Sequence, residues 1–421
     1  MKLKEYLVPV VQSDDVPPEI LVALRSTDIE RVKKAWKNAN NPHYLIRTLT
    51  VSGEAELIGK PSTVRFANRG GATYYVLKYP SGNIYLDVRM VSDELAEFIQ
   101  TELLRVVVRR QGSTLYAVSV EPLIATPKEE RGKELVEVFE ADGINLWEIP
   151  VIGYGYISPS TKSFFNSNAP DEILNRISRL VVLRFMSTIR VRGAPVHVIE
   201  LTTPNTGKTT FAVRNIYLLN WGYINETPSF SRLIMDARNG SLGIVFRSNG
   251  VFIDEIDKYA KEMKDVISAF LSGMSHGIWK RAKGDRDTPN IKRFIPIYLA
   301  GNRVNKSLSK QNTRTYIQNI LSMSLPSSEV EALIDRVAIT ITNTEPINAS
   351  DYVSKYVISD SYLRGFVTYI SKLATKNYKD LGLFSGRMRE HANNVYAICT
   401  TLNLSTNCEE FAKSVETGWE I

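Results

Sequence analysis

Apolar and polar residues alternate along the first part of the chain in a way that is typical of β-strands. Two such runs, at 72–79 and 84–88, flank the turn-forming sequence Pro80-Ser81-Gly82-Asn83. Two alternating runs joined by a short turn predict a β-hairpin.

A helical spacing of apolar residues follows from Asp93 to about Leu104, and two further strand patterns lie at 105–110 and 115–120. With the hairpin, these elements predict a separate α+β domain over residues 1–145. Nothing in it identifies a chemistry. We interpret its tyrosines and phenylalanines as core residues rather than as a surface for base stacking.

Residues 146–170 are rich in glycine, proline, serine and asparagine, which predicts a linker, and a helix is predicted from Pro170 to Arg190. From Pro195 onwards, short apolar strands alternate with helices, as in a parallel sheet that is buried on both faces. The predicted strands are Pro195–Leu201, Arg232–Asp236, Val251–Asp254, Ile295–Ala300 and Val337–Thr342, and the predicted helices include Thr209–Leu219 and Lys258–Leu271.

The predicted organisation is an N-terminal domain of unknown role (1–145), a linker and α/β core (146–345), and a helical C-terminal lid (346–421). A chain of 421 residues is too long for one compact core and suits two or three units of about 150 residues.

Composition narrows the class of protein. Hydrophobic residues at 43% and charged residues at 23% are typical of globular proteins. A net charge of +7 permits nucleic-acid binding without requiring it. No apolar run reaches the ~18 residues of a membrane span, and the charged start, Met1 to Tyr6, is unlike a secretion signal. We therefore expect neither membrane insertion nor secretion.

Cys399 and Cys408 are the only cysteines of the sequence, and neither has a cysteine or histidine at the spacing of zinc ligands. We therefore expect neither a zinc site nor a disulfide framework. A cytoplasmic location in a reducing compartment follows as the expectation.

A candidate phosphate-binding loop comes directly after the first core strand. The sequence Thr202-Thr203-Pro204-Asn205-Thr206-Gly207-Lys208-Thr209-Thr210 joins that strand to a helix, which is the context that such a loop requires. Backbone N–H groups and Lys208 are expected to bind the phosphates of ATP, and the Thr209 hydroxyl to bind Mg²⁺. Thr202 replaces the first glycine of the pattern G-x-x-x-x-G-K-[ST].

Acids and an amide follow the next apolar strands. Asp254 and Glu255 end the strand that begins at Val251. Asp254 is expected to position Mg²⁺, and Glu255 to orient and deprotonate the attacking water. Asn302 follows the strand at 295–301, and we expect it at the carboxyl end of a strand beside the phosphate loop, where an amide can hold that water. The sequence therefore predicts an ATP-hydrolysing enzyme.

These residues resemble a known family in order and spacing. Lys208, Asp254, Glu255 and Asn302 match the Walker A, Walker B and sensor 1 positions of AAA+ ATPases. The segment 252–258 looks like the Walker B of minichromosome-maintenance helicases, and Pro204 to Lys208 resembles the loop of superfamily 3 viral helicases. Residues 268–293 resemble the hairpin that both groups insert before sensor 1. The resemblance covers about 190–400 and implies an AAA+ core that assembles into a ring such as a homo-hexamer.

The segment 276–293 is rich in cations and turn formers. Cations attract phosphates irrespective of sequence, and an aromatic ring can stack on a base. With the resemblance, we interpret the segment as a DNA-binding hairpin; the alternative is a solvated basic loop. The candidate DNA-binding residues are Trp279, Lys280, Arg281, Lys283 and Arg286.

The resemblance also implies two arginines at the nucleotide. Arg336 precedes the last core strand, where this family has an arginine finger that a neighbouring subunit supplies; the alternative is a local pair with Asp335. Arg387 resembles the sensor 2 arginine that reaches the γ-phosphate from the lid, and Arg389 competes for that role.

The sequence thus favours an ATP-driven ring that translocates on DNA, with a single strand in a central pore, as a replicative helicase of a virus, plasmid or cellular host. One alternative is a DNA-binding remodelling or loading ATPase that does not unwind, including defence-associated relatives. Another is a protein-remodelling ATPase, for which residues 237–249 offer no obvious aromatic pore loop.

Overall fold

The computed structural model describes residues 5–9, 46–49, 55–59, 61, 63–79, 82–91, 95–96, 99, 104–122, 129–219, 221–235, 242–259, 263, 266–280, 292–302, 311–343, 345 and 347–421. Within these ranges, no helix combines the length and apolar character that crossing a membrane requires.

Two large sheets and a set of helices make up the described fold. The strands are β1 (Leu7–Pro9), β2 (Ile46–Leu49), β3 (Ala55–Gly59), β4 (Thr63–Arg69), β5 (Ala72–Tyr79), β6 (Gly82–Asp87), β7 (Leu104–Gln111), β8 (Thr114–Pro122), β9 (Arg190–Val191), β10 (Ala194–Pro195), β11 (Val198–Thr202), β12 (Gly222–Ile224), β13 (Val251–Ile253), β14 (Ile297–Gly301), β15 (Ile339–Asn343), β16 (Tyr356–Ile358) and β17 (Trp419–Glu420). The helices are α1 (Glu129–Ala141), α2 (Glu148–Gly153), α3 (Asp171–Phe185), α4 (Lys208–Leu219), α5 (Phe230–Leu233), α6 (Ile244–Arg247), α7 (Ile256–Tyr259), α8 (Ile267–His276), α9 (Thr313–Ser322), α10 (Ser327–Ile334), α11 (Asp360–Lys376), α12 (Gly386–Leu402) and α13 (Cys408–Thr417).

A seven-stranded sheet in the order β2-β3-β7-β8-β6-β5-β4 forms the N-terminal part. The predicted hairpin is confirmed as β5 and β6, and the predicted strand pair as β7 and β8. Most of the predicted helix from Asp93 to Leu104 lies outside the described residues, and Leu104 itself opens β7. Buried residues of the sheet, such as Val64 and Tyr75, share a hydrophobic cluster with Phe246 of the core.

A six-stranded sheet in the order β12-β13-β14-β11-β15-β17 forms the core, and its paired strands run parallel. All residues of β11, β13, β14 and β15 are buried, because helices cover both faces of the sheet. The strand that leads into the phosphate loop, β11, lies between β14 and β15. This confirms the α/β core with a parallel sheet.

The second core strand lies elsewhere than the sequence predicts. Arg232 to Met235 adds no strand to the sheet, and Asp236 lies outside the described residues. Phe230–Leu233 forms the short helix α5, and Ser229 caps it by accepting a hydrogen bond from the Arg232 backbone amide at 3.3 Å. The strand is instead β12, at Gly222–Ile224. A short apolar run fits either a strand or a buried helix, which explains the wrong assignment.

The segment interpreted as a linker is packed inside the protein. Every residue of α2 is buried, and Ile149 and Val151 belong to the hydrophobic cluster that contains the core strands. Glycine and proline here shape a tight path rather than a flexible connection. The linker interpretation is therefore corrected.

Residues before and after the core are joined to each other. Strand β1 pairs antiparallel with β16, and α1 packs closely on α11. A Cβ on Gly132 of α1 would lie 2.2 Å from the Gly365 carbonyl oxygen of α11, so only glycine permits this approach. Among the described residues, α1 therefore packs with the C-terminal helix α11.

The C-terminal segment is mostly helical, as predicted, but β17 adds a strand to the core sheet beside β15. Cys399 of α12 and Cys408 of α13 form a disulfide, with their Cα atoms 5.7 Å apart. The expectation of no disulfide is therefore wrong. Asn403 ends α12 in a left-handed conformation (φ 55°) and turns the chain back, which brings the two cysteines together.

Candidate nucleotide-binding site

The phosphate loop between β11 and α4 has the conformation of an anion-binding turn. Asn205 and Gly207 have positive φ values of 64° and 83°. At Gly207 a side chain is also excluded by space, since its Cβ would lie 2.0 Å from the Tyr156 hydroxyl oxygen. Helix α4 begins at Lys208, so the positive end of its dipole faces the loop.

A cavity of about 390 Å³ opens above this loop, at the carboxyl ends of β11, β13 and β14. It brings together every residue predicted for Walker A from Pro204 to Thr210, both Walker B acids and sensor 1. Its lining residues are Tyr156, Pro204, Asn205, Thr206, Gly207, Lys208, Thr209, Thr210, Asp254, Glu255, Asn302, Ser350 and Val353.

Lys208 is buried with its ammonium group folded against the loop. It donates to the Thr202 hydroxyl at 3.0 Å and to the Thr203 carbonyl oxygen at 3.1 Å. Burial lowers the pKa of Lys208, although the charge of Glu200 opposes this effect. Lys208 makes these contacts with uncharged oxygens, so its ammonium group is well suited to attract an anion to the N–H groups of the loop.

A buried ion pair lies directly beneath the loop. Arg184 of α3 donates to both Glu200 oxygens, at 2.9 and 2.6 Å, and to the Thr206 carbonyl oxygen at 2.9 Å. The Tyr298 hydroxyl donates to the same carboxylate. Burial alone would raise the pKa of Glu200, but the charge and hydrogen bonds of Arg184 outweigh it and lower the pKa to about 2. The loop is thus fixed from below by charged groups that are fully paired.

This network also accounts for Thr202 in place of the first glycine. The Thr202 hydroxyl donates to Glu200 at 2.7 Å and lies 3.1 Å from the Thr206 hydroxyl. Thr202 is the last residue of β11 and has no positive φ, so the backbone does not require glycine there. The threonine adds hydrogen bonds at the root of the loop instead.

Oxygen atoms suited to Mg²⁺ meet beside the loop. The Thr209 hydroxyl and Asp254 Oδ2 are 3.3 Å apart, and the Tyr223 hydroxyl donates to the same Oδ2 at 3.0 Å. Burial and the adjacent Asp254 charge raise the pKa of Tyr223 to about 12, so it remains a donor. Mg²⁺ prefers oxygen ligands and, beside nucleotides, takes few from the protein, so this donor set fits it. In the described part of the chain, no group of three or more His, Cys, Asp or Glu residues forms another metal site.

Glu255 has a strained backbone. Its φ of 56° is left-handed, and its amide donates to Asp254 Oδ1 at 2.9 Å. Its carboxylate forms an ion pair with Lys258. Strain of this kind persists where the surroundings enforce it, commonly at functional sites.

Asp257 was not singled out from the sequence, although it lies in the Walker B segment. Its Oδ1 accepts a hydrogen bond from the Asn302 backbone amide at 3.0 Å. A Cβ on Gly301 would lie 2.4 Å from the same oxygen, so glycine is needed for this contact. Asp257 therefore fixes sensor 1 relative to Walker B. Tyr156, Arg184, Glu200 and Tyr223 were missed as well, because their roles depend on long-range contacts.

The arginines predicted for the nucleotide lie elsewhere. Arg336 donates to the Leu271 carbonyl oxygen at 2.9 Å and to the Ser275 hydroxyl at 2.6 Å. Arg387 pairs with Asp335 at 2.7 Å, and Arg389 pairs with Asp380. None of these three arginines is among the described residues that line the cavity. That Arg387 acts as sensor 2 stays a prediction, and its present partner is Asp335.

Arg336 and Arg387 share one surface, which we call the arginine face. Desolvation and the charge of Arg387 lower the pKa of Arg336, while Asp335 acts in the opposite direction. Asp335 is the ion-pair partner of Arg387, whereas Arg336 donates to uncharged oxygens of Leu271 and Ser275.

Trp279 is part of the core rather than of a DNA-binding surface. It is 1% exposed, packs edge-on against Phe270 and donates from Nε1 to the Arg293 carbonyl oxygen at 2.9 Å. The expectation that it stacks on a base is corrected. Lys280 and Lys292 are exposed, whereas Arg281, Lys283 and Arg286 lie outside the described residues.

Comparison with known proteins places this site in a family. Residues 167–391, which hold all the cavity residues except Tyr156, match the model described as "Lon-like protease BrxL-like, ATPase domain". The chain belongs to this BrxL-like ATPase family. The match agrees with the AAA+ features on β11, β13 and β14.

Relatives of this BrxL-like ATPase occur in viruses. The chain is 53% identical over 421 residues to ORF425 of Acidianus filamentous virus 2 (isolate Italy/Pozzuoli), which covers 99% of each chain. It is 32% identical over 287 residues to protein 440 of Sulfolobus islandicus rod-shaped virus 1, covering 65% of this chain and 61% of that one. Among solved structures, a full-length MCM homolog from Methanopyrus kandleri superposes with a TM-score of 0.49 at 12% identity, covering 87% of this chain and 76% of that one.

Proposed function

We propose that this BrxL-like ATPase is a ring-forming motor that hydrolyses ATP with Mg²⁺ and uses the energy to translocate on DNA. The proposal rests on the observation that Lys208, Thr209, Asp254, Glu255 and Asn302 line one cavity. A replication role in a virus is supported by the viral origin of its relatives. We also propose that the protein acts in the cytoplasm.

Each residue has a task in hydrolysis. Lys208 and the loop amides bind the phosphates, and Thr209 and Asp254 hold Mg²⁺, which neutralises phosphate charge when bound. Glu255 takes the proton of the attacking water, and Asn302 orients that water. For this, the Glu255 carboxylate exchanges its ion pair with Lys258 for the water.

A ring is supported by the arginine face. The guanidinium groups of Arg336 and Arg387 lie away from their own cavity, so we assign them to the cavity of a neighbouring subunit, where they offset the charge that develops on the γ-phosphate. Hydrolysis then depends on assembly.

DNA contact is assigned to the basic segment 281–291 and its flanks. The ends of the segment are held together, because Gly277 accepts a hydrogen bond from the Arg293 amide at 2.8 Å and Trp279 donates to the Arg293 carbonyl oxygen. Arg293 itself is buried and donates to the Ser248 carbonyl oxygen at 2.9 Å, so it anchors the segment. Flanks that are fixed in this way suit a segment that transmits force to DNA.

The hydrolysis assignment is tested with Lys208→Ala and Glu255→Gln. We expect Lys208→Ala to lose nucleotide binding, and Glu255→Gln to keep binding while kcat falls by about 10²–10⁴. Phosphate release and binding of a fluorescent ATP analogue measure the two effects. Normal turnover by Glu255→Gln would refute its role as the base.

The DNA assignment is tested with Lys280→Ala combined with Lys283→Ala. This variant should retain basal ATPase and lose stimulation by DNA and unwinding of forked DNA. The matched control removes two exposed lid cations, Lys379→Ala with Lys413→Ala, and should behave as wild type. If the Lys280/Lys283 variant unwinds DNA normally, the pore-hairpin role is wrong.

The second candidate is an AAA+ remodelling ATPase that does not unwind. The family description favours it, since it names a Lon-like protease rather than a helicase. A forked-DNA displacement assay separates the two. DNA-stimulated hydrolysis without displacement supports a DNA-remodelling or loading ATPase, and stimulation by an unfolded protein instead of DNA supports a protein-remodelling one.

A further inference from the structure

One face of the N-terminal sheet carries a cluster of tyrosines. Tyr74 of β5, Tyr85 of β6 and Tyr116 of β8 are all partly exposed. Their ring centroids are 5.8 to 6.0 Å apart, with tilted or edge-on packing. The core tyrosines Tyr75 and Tyr79 point to the opposite, buried face. The expectation that the tyrosines of this region are core residues therefore holds for these two but not for the cluster.

Arginines surround the cluster. Arg69 of β4 reaches across the face, with its guanidinium carbon 5.6 Å from the centre of the Tyr85 ring, and donates to the Thr114 hydroxyl at 2.9 Å. Strand register places further exposed arginines on the same face, because directly opposite residues share a side of a sheet. Arg65 is opposite Val76, which is opposite Tyr85, and Arg109 is opposite Tyr116.

The carboxylate nearest to Tyr74 is already paired. Asp87, opposite Tyr74, is the one acidic residue within β4, β5, β6 and β7. Its two oxygens accept hydrogen bonds from Arg89, at 3.0 and 2.6 Å. Those bonds lower the pKa of Asp87 to about 2. The part of the face formed by β4, β5 and β6 is thus aromatic and cationic, and its one carboxylate, Asp87, is already paired.

We infer that this tyrosine–arginine face, defined by Arg65, Arg69, Tyr74, Tyr85, Arg109 and Tyr116, binds single-stranded nucleic acid. Exposed aromatic rings on a sheet stack with unpaired bases, and flanking cations attract the phosphates between them. A duplex conceals its base faces and gains nothing from the rings. The site requires neither ATP nor a ring, and so does not depend on the proposed motor activity.

The test uses the full chain with Lys280→Ala and Lys283→Ala, so that the basic segment 281–291 is weakened, in the absence of nucleotide. Fluorescence anisotropy measures binding to labelled dT20, rU20 and a 20-base-pair duplex (lengths of about 20 nucleotides span several stacked bases). We expect binding to at least one single strand and much weaker binding to the duplex. The dT20 and rU20 arms distinguish DNA from RNA.

Substitutions of Tyr116 and of two arginines separate the contribution of stacking from that of charge. Tyr116→Leu keeps an apolar side chain but loses the ring, and should weaken single-strand binding about ten-fold, while Tyr116→Phe should have almost no effect. Arg65→Ser with Arg109→Ser should reduce the slope of log K against log salt by about 1.4, that is about 0.7 for each phosphate. Lys379→Ser with Lys413→Ser, the matched loss of charge on the lid, should leave that slope unchanged.

Thermal melting confirms that each variant is folded. As a second measurement, an oligonucleotide carrying 5-iodouracil should crosslink to peptides that contain Tyr74, Tyr85 or Tyr116. Equal binding of duplex and single strand, equal affinity of Tyr116→Leu and Tyr116→Phe, or crosslinks confined to other segments would each overturn the inference. Loss of unwinding alone would count against the motor and not against this site.

Discussion

The nucleotide cavity and the arginine face differ in how firmly their charged groups are held. Beneath the phosphate loop, Arg184 and Glu200 are fully buried and bonded to each other and to the loop. On the arginine face, Arg387 and Asp335 are about half exposed, with relative side-chain accessibilities of 42% and 47%. The first arrangement fixes one geometry, whereas the second can be exchanged for another partner.

The difference indicates where assembly can act. Binding groups that are already in place lose little freedom when a nucleotide arrives, so we expect one chain to bind it without a neighbour. Exposed ion pairs contribute little to stability, so a neighbouring phosphate can replace Asp335 as the partner of Arg387 at small cost. The proposed division of labour is therefore binding within a subunit and catalysis between subunits.

The largest effect is expected from Arg336→Ala, which tests whether catalysis occurs between subunits. If the arginine completes the neighbour's cavity, kcat should fall by about 10³–10⁵, with nucleotide affinity changed much less. Steady-state phosphate release and equilibrium ATP binding measure the two quantities.

Mixing subunits provides the control for Arg336→Ala. Arg336→Ala lacks the arginine but has an intact cavity, and Lys208→Ala has the reverse defect. A mixture of these two inactive proteins should recover part of the activity, because some interfaces then pair a normal Arg336 with a normal cavity. Full activity of Arg336→Ala alone, or no recovery on mixing, would contradict action between subunits.

The next largest effect is expected from Arg184→Met. Removal of one partner leaves the Glu200 charge buried without its pair, which costs about 3–5 kcal/mol in the free energy of unfolding. Denaturant unfolding measures the loss. Arg389→Met, which breaks the exposed pair with Asp380, is the control and should unfold almost as wild type does. Similar stability of the two variants would show that the buried pair is not what fixes the loop.

Acid adds an independent check on the same pair. Because the folded-state pKa of Glu200 is lowered from 4.5 to about 2, its contribution is complete above pH 4.5 and is lost as the pH falls through 2. Stability should therefore decline across this range in the wild type. The decline should be smaller in Glu200→Gln.

The sequence predicted the residues that line the nucleotide cavity better than those that support it from below. Asp254 and Asn302 were found because each immediately follows a short apolar strand, and Lys208 because it ends the loop after another. Parallel strands bring their carboxyl ends to one edge. Arg184 and Tyr298 escaped notice because their partner Glu200 is 16 and 98 residues away. Trp279 was misassigned because an aromatic residue beside cations has the same pattern whether it anchors a loop or projects from it.

The smallest effect is expected from removal of the disulfide, which should affect the arginine face and not the nucleotide cavity. Cys399 lies in α12, the helix whose first turn carries Arg387, and its bond to Cys408 ties that helix to α13. A bond that closes a loop of this size stabilises by about 2–3 kcal/mol in the chain-entropy account. Cys399→Ala with Cys408→Ser should therefore lower the free energy of unfolding of the lid, which denaturant unfolding measures.

Nucleotide affinity of the same variant should stay near the wild-type value, since no residue of α12 or α13 is among the described residues that line the cavity. Loss of nucleotide affinity equal to that of Lys208→Ala would show that lid and cavity are one unit, and the contrast between the two regions would fail.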